Sequence, residues 1–261
     1  MGRCLTYIPC LKKLSEGSAC WCIEHLTFKL NPNLTDMATK LLNPSYIGSF
    51  NQRFREKRFL FFTDLLDRIN SKAPIHILDI GGTEIYWDRM GFTNRDNVHI
   101  TLLNLTPTSV SNVRFSSVVG DACNLSEYGD KEFDVVYSNS VIEHLFTAEN
   151  QEKMAKEVRR VGKNYYIQTP NYYFPIEPHW LFPCFQFLPY GVKVKMTQNY
   201  SLGNFPKTRD IEAARTRVDE IKLLTARQME RLFPEGNMYK EIFMGLTKSI
   251  TMYHFPNVNK A

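Results

Sequence analysis

Residues 75–83 read Ile-His-Ile-Leu-Asp-Ile-Gly-Gly-Thr, and they constrain the fold more than any other part of the chain. A short apolar run ends in an acidic residue and then in paired glycines. This is the pattern of a buried parallel strand that turns into a loop lying against a ligand. Glycine lets the backbone take positive φ and approach a partner without a Cβ clash.

The segments that follow extend the pattern. From residue 75 onward, short β-rich stretches at 75–80, 98–103, 113–119, 133–138 and 165–168 alternate with polar, helix-spaced ones. The clearest of these covers 149–161, with Met154, Val158 and Val161 on one stripe. Such alternation predicts an α/β domain with a parallel sheet and helices on both faces. Ligands then bind beyond the carboxyl ends of the strands. A helix is predicted over 50–70, with Phe54, Phe61, Leu65 and Ile69 near one face. Residues 170–201 hold five prolines and many aromatics without a period, which marks a long functional loop. A helical piece follows at 211–217. Thr225 caps a further helix, with Gln228 as its capping-box partner. Strands at 238–246 and 248–254, joined at Gly245, close the sheet as an antiparallel pair.

Composition narrows the class. The 261 residues are 43% hydrophobic and 23% charged, with a formal net charge of +5. A full core can be buried, and no dense basic stripe marks a nucleic-acid partner. No apolar stretch reaches the roughly 18 residues of a membrane span, and Lys12, Lys13 and Glu16 interrupt any signal-peptide core. Six cysteines in a chain this long do not read as a disulfide scaffold, so a cytoplasmic location is expected. Cys4, Cys10, Cys20, Cys22 and His25 lack zinc-ligand spacing, and no metal site is expected. The opening Met-Gly-Arg-Cys-Leu-Thr fits a bare myristoylation pattern, with Cys4 as a palmitoyl candidate. The expected organisation is an extension over 1–45, one domain over 46–261, and an acceptor-side insertion over 171–222.

Taken together, residues 75–83, Ile100-Thr-Leu-Leu-Asn104, Val118-Val-Gly-Asp121-Ala122 and Phe133-Asp-Val-Val-Tyr-Ser-Asn-Ser-Val-Ile-Glu-His144 resemble the class I S-adenosylmethionine-dependent methyltransferases. The resemblance implies a Rossmann-like fold, with a mostly parallel seven-stranded sheet and an antiparallel closing hairpin. It also implies S-adenosyl-L-methionine as the methyl donor. Asp79, Gly81, Gly82 and Thr83 would meet the methionine end, Asn104 the ribose, Asp121 and Ala122 the adenine, and Ser138 with Asn139 the wall beside the methionine portion. Two departures stand out. The loop is one residue tighter than the usual Asp-x-Gly-x-Gly, and Asn104 stands where the family has a carboxylate.

An oxygen acceptor must lose a proton on methylation, and His144 is the candidate base with Glu143 beside it. The alternative is that His144 caps a helix or binds a backbone carbonyl. Asn171, Tyr172, Glu177 and His179 are candidates for a hydroxyl-rich acceptor; otherwise this stretch is an aromatic plug under a lid. The expected reaction is methyl transfer to a small-molecule or glycan-like acceptor, most readily at oxygen, with no membrane span and no nucleic acid. Two rivals are a methyltransferase-like binding module without catalysis, and an RNA or protein methyltransferase using Arg209, Arg215 and Arg217.

Overall fold

The computed structural model describes residues 50–69, 73–93 and 95–255, and these belong to one compact unit. The cysteine cluster, the acylation pattern and the extension over 1–45 lie outside the described residues. The elements in chain order are α1 (Phe50–Leu66), β1 (Ile75–Ile80), α2 (Glu84–Arg89), β2 (Val98–Asn104), β3 (Phe115–Val119) and β4 (Phe133–Asn139), then a single 3-10 turn at Ile142–His144. They continue with α3 (Ala148–Val161), β5 (Gly162–Pro170), β6 (Ile176–Glu177), β7 (Phe182–Pro183), a second 3-10 turn at Phe185–Phe187, α4 (Tyr190–Asn199), α5 (Ile211–Glu220), α6 (Ala226–Leu232), β8 (Asn237–Phe243) and β9 (Leu246–His254).

The seven-stranded sheet has the order β3-β2-β1-β4-β5-β9-β8. Strands β1 to β5 pair in parallel, while β9 runs antiparallel to both β5 and β8. This is the anticipated Rossmann-like arrangement with its closing hairpin. The hairpin turns through Met244 (φ 48°) and Gly245 (φ 79°). Successive positive φ values match the twist of the strands they join.

Two apolar cores sandwich the sheet. On one face Phe59, Phe62, Leu65 and Leu66 of α1 meet Trp87 of α2 and the strand residues Ile77, Ile100 and Val135. The buried stripe is thus rotated from the predicted one: Leu65 belongs to it, while Phe61 and Ile69 are only partly covered. On the other face Met154, Val158 and Val161 of α3 and Met229 of α6 pack on Leu78, Leu103 and Val136. The predicted capping box is formed, with Thr225 Oγ1 accepting from the Gln228 amide. A cap of this kind contributes about 1 kcal/mol. Arg58 of α1 grips Glu241 of β8 through two 2.9 Å contacts and ties the helix to the hairpin.

Residues 170–201 are not one irregular loop. They form the small β6–β7 ladder and the helix α4. Trp180, Phe185 and Val194 from this stretch join Leu202, Phe205, Ala214 and Val218 in a third, separate core. Indole and phenyl of Trp180 and Phe185 stack at 4.4 Å. Helix α4 was invisible to patterning because it carries Gly191 and two β-branched valines and has no strong apolar face. Its packing against α5 sustains it instead.

Candidate active site

The carboxyl ends of β1, β2, β3 and β4 form one rim. Register sets this: Ile80 lies beside Leu103 of β2 on one side and Ser138 of β4 on the other. The glycine loop that follows β1 crosses the rim. Gly81 has φ +78°, and a Cβ there would lie 2.5 Å from Val141 Cγ2. A Cβ on Gly82 would lie 1.6 Å from Asp79 Oδ2. Both positions require glycine, one by conformation and one by space. Thr83 then caps α2 by accepting from the Tyr86 amide.

Asp79 is turned inward. Its Oδ2 accepts from Trp87 Nε1 at 2.6 Å, and its Oδ1 is buried without a hydrogen-bond partner. Burial pushes its pKa up to about 7, against the lowering effect of the Trp87 bond. With Gly82 lying over the carboxylate, Asp79 braces the loop from beneath, whereas the sequence reading had it reach the methionine end directly. Residue type could not reveal on which side of the loop the carboxylate lies.

The rest of the rim offers polar groups in the expected order. Asn104 is buried and donates through Nδ2 to the Gly82 carbonyl at 3.0 Å, which leaves Oδ1 as an acceptor. Asp121 Oδ1 accepts from the Cys123 amide at 2.8 Å and shapes a turn closed by Asn124. Its second oxygen takes no part in that turn, and Ala122 packs into the core beside it. Ser138 is buried and donates to the Ile80 carbonyl at 3.3 Å, stitching β4 to β1. Asn139 is half-buried at the end of β4. Ser140 follows in the left-handed region with φ 61°. Its amide and hydroxyl are both bonded to Gln168, at 3.0 and 2.9 Å. A non-glycine residue held this way marks a constrained turn.

That turn delivers Glu143 and His144. The 142–144 segment is pinned from three elements. Gln151 Nε2 of α3 donates to the Ile142 and Lys222 carbonyls, the Lys222 amide donates to the Glu143 carbonyl at 2.7 Å, and Thr169 Oγ1 of β5 donates to Glu143 Oε2 at 3.0 Å. Glu143 is fully buried, and its Oε1 has no hydrogen-bond partner. His144 Nδ1 lies 3.1 Å from Glu220 Oε1 at the end of α5. His179 lies against His144, with ring centroids 4.8 Å apart and planes at 86°. Its Nδ1 is 2.6 Å from Glu177 Oε1, while Glu177 Oε2 accepts from the His179 and Trp180 amides. Burial works against the His179 cation, but Glu177, by hydrogen bond and charge, raises its pKa above the usual histidine value.

The sequence-derived acceptor residues therefore divide. His179 joins Glu143 and His144, and Glu177 orients it from behind. Asn171 is committed elsewhere: Nδ2 donates to the Thr247 carbonyl at 2.8 Å, and Oδ1 accepts from the Tyr173 amide. It lines a separate hollow with Tyr173, Thr225, Arg227 and Lys240. Tyr172 packs edge-on against Phe187 at 5.2 Å. Of the three arginines of the RNA reading, Arg215 pairs with Glu212 and Arg217 lies over the Phe205 ring. Glu220 was not singled out from the sequence, and no local signal marks it. It sits 76 positions from its partner His144 in a polar stretch.

Comparison with known proteins adds a family. Residues 78–165 match the model of the methyltransferase domain family. Two uncharacterized proteins from strains of Mycobacterium tuberculosis are 34% identical over 64 residues, which is 24% of this chain and 22% of each relative. The match thus spans about a fifth of those relatives' length. Solved structures of similar trace include an S-adenosylmethionine-dependent methyltransferase of Aquifex aeolicus, with 10% identity, a TM-score of 0.44, and 86% of this chain and 98% of that one covered. Another, from Methanosarcina mazei, has 12% identity and a TM-score of 0.44 over 72% of this chain and 94% of its own. A putative methyltransferase in complex with the Haloferax volcanii Trm112 activator has 12% identity and a TM-score of 0.41, over 76% and 92%. At such scores the fold assignment rests on the strand order itself.

Proposed function

Starting from a class I methyltransferase fold whose residues 78–165 match the methyltransferase domain family, we propose that this chain transfers a methyl group from S-adenosyl-L-methionine to a hydroxyl of a small or glycan-like acceptor. One observation carries the reading. A glycine loop that tolerates no side chain crosses the same rim that carries polar groups suited to a nucleoside and ends at a histidine cluster.

The residues fit the donor's demands. Asp121 keeps one carboxylate oxygen beyond its turn, suited to an exocyclic amine. Asn104 Oδ1 can accept from a ribose hydroxyl, a weaker contact than a carboxylate would make. The backbone of Gly81 to Thr83, held rigid by Asp79 beneath it, faces the amino-acid end together with Asn139. When bound, the sulfonium supplies its methyl: the S–C bond breaks with its electron pair going to sulfur, the acceptor oxygen forms the new C–O bond, and the hydroxyl proton leaves.

The chain's own residues orient the acceptor and take that proton. His144 is the candidate, its ring held by Glu220 so that the second nitrogen points away from that carboxylate. Alignment of this kind contributes roughly 7–11 kcal/mol in favourable cases. In this reading the α4–α5 layer, which has its own core, would wall the acceptor from water. A screen of hydroxylated acceptors with methyl-labelled donor tests the reading. Label should appear in a base-stable methyl ether. Label transferred only to RNA or protein would replace the acceptor class, and no transfer by a chain that binds the donor product would favour a binding module.

A further inference from the structure

We propose that Glu143, His144 and His179 bind a divalent transition-metal cation, of the zinc or manganese class, on the acceptor side of the cleft. One ligating atom from each residue lies within 4.8 Å of those of the other two. Bonds of about 2.1 Å in a tetrahedral site place ligand atoms roughly 3.4 Å apart. Cation binding would draw the three atoms closer together.

Three features distinguish this cluster from a chance meeting of polar side chains. First, each histidine already has its Nδ1 held by a buried carboxylate, Glu220 for His144 and Glu177 for His179. The Nε2 atoms are left as the ligating ones. A carboxylate behind a metal-binding histidine fixes its tautomer and raises its basicity. Second, Glu143 carries the same signature. Thr169 holds Oε2, while Oε1 is sealed from solvent with no hydrogen-bond partner. A buried carboxylate oxygen left unpaired is costly, and a cation beside it removes that cost. Third, Glu143, Glu177 and Glu220 are all at most 2% exposed, and none of them forms an ion pair with a lysine or arginine among the described residues. Three buried carboxyl groups thus share two histidines and no lysine or arginine, and a cation bound among them adds positive charge where acidic side chains predominate.

Two imidazoles and one carboxylate suit zinc, manganese or iron better than magnesium or calcium, which prefer oxygen ligands. Three protein ligands leave at least one coordination position open. An acceptor hydroxyl occupying it would lose its proton more readily and be oriented for attack. His144 would then act as a ligand and not as the base. This role rests on the methyltransferase reading; cation binding itself does not.

The test is a calorimetric titration of the full chain, stripped with chelator, with zinc and separately with manganese. Wild-type protein, Glu143→Gln, His179→Ala and Glu220→Gln are compared, with near-UV circular dichroism as the check that each variant is folded and S-adenosylhomocysteine binding measured in parallel. Cysteines 4, 10, 20 and 22 offer competing zinc ligands, so the site is read as the difference between wild type and variants. The expected result is one cation equivalent that disappears in Glu143→Gln and His179→Ala and weakens about 10–100-fold in Glu220→Gln. Cobalt(II) loading should give visible ligand-field bands in wild type that are absent in Glu143→Gln. Unchanged cation affinity in both ligand variants would overturn the proposal, as would no binding at millimolar cation. A cation site in a chain that ignores S-adenosylhomocysteine would support this inference while removing the methyltransferase reading.

Discussion

At the rim of β1 to β4, groups from four strands meet because parallel register lines up the strand ends. In the histidine cluster, Glu143, His144, Glu177, His179 and Glu220 come from a 3-10 turn, a small ladder and a helix end, and side-chain bonds hold them. The rim is a property of the sheet and is carried by backbone. The acceptor cluster depends on a separate small core around Trp180. The two halves should therefore fail independently, and that separation is what the following variants probe.

The largest effect belongs to Trp180→Ala. Removing a buried indole stacked on Phe185 costs about 3–5 kcal/mol. Limited proteolysis should cut within residues 171–222, while affinity for S-adenosylhomocysteine changes by less than about threefold, well under 1.4 kcal/mol. Loss of donor affinity together with the lid would show that the halves are one cooperative unit. Next comes His144→Ala, which should lower methyl transfer by about 10²–10³-fold at saturating donor and leave donor binding intact. Near-wild-type turnover would remove His144 from the chemistry.

A smaller effect is expected on the donor side alone. A Cβ at Gly82 would overlap the Asp79 carboxylate, so Gly82→Ala must push the loop outward. Overpacking of this kind costs about 1–3 kcal/mol. It should appear as weaker S-adenosylhomocysteine binding, with the cation affinity of the acceptor cluster unchanged. The smallest effect is a slope. Burial raises the pKa of the folded Asp79 to about 7, well above the ordinary aspartate value of about 4, so the folded chain holds its proton where the unfolded chain has lost it. This contribution is fully present below about pH 4 and is lost as pH rises through about 7, at no more than about 1.4 kcal/mol per pH unit. Denaturant titrations from pH 4 to 7 should show wild-type stability falling more steeply than that of Asp79→Asn. Parallel curves would mean that the carboxylate is already ionised in the folded state.

The same contrast explains what the sequence disclosed. β1 and the Thr225 cap are legible because strand apolarity and capping chemistry are local. The strand ends that carry Gly81, Gly82, Asn104 and Asp121 are legible because β-rich runs stop there. The inward turn of Asp79 is not, since it depends on Trp87 filling the space beneath the loop. Helix α4 and the partnership of Glu220 with His144 depend on tertiary packing across dozens of residues, and composition records neither.

The central claim is that the rim of β1 to β4 receives S-adenosylmethionine. Isothermal titration of the full chain with S-adenosylhomocysteine, repeated on Asp121→Ala, tests it most directly. The account predicts one saturable site per chain that weakens by about tenfold or more when Asp121 is removed, the value of one charge-assisted hydrogen bond. No binding by well-folded wild-type protein, or equal affinity in the variant, would contradict it.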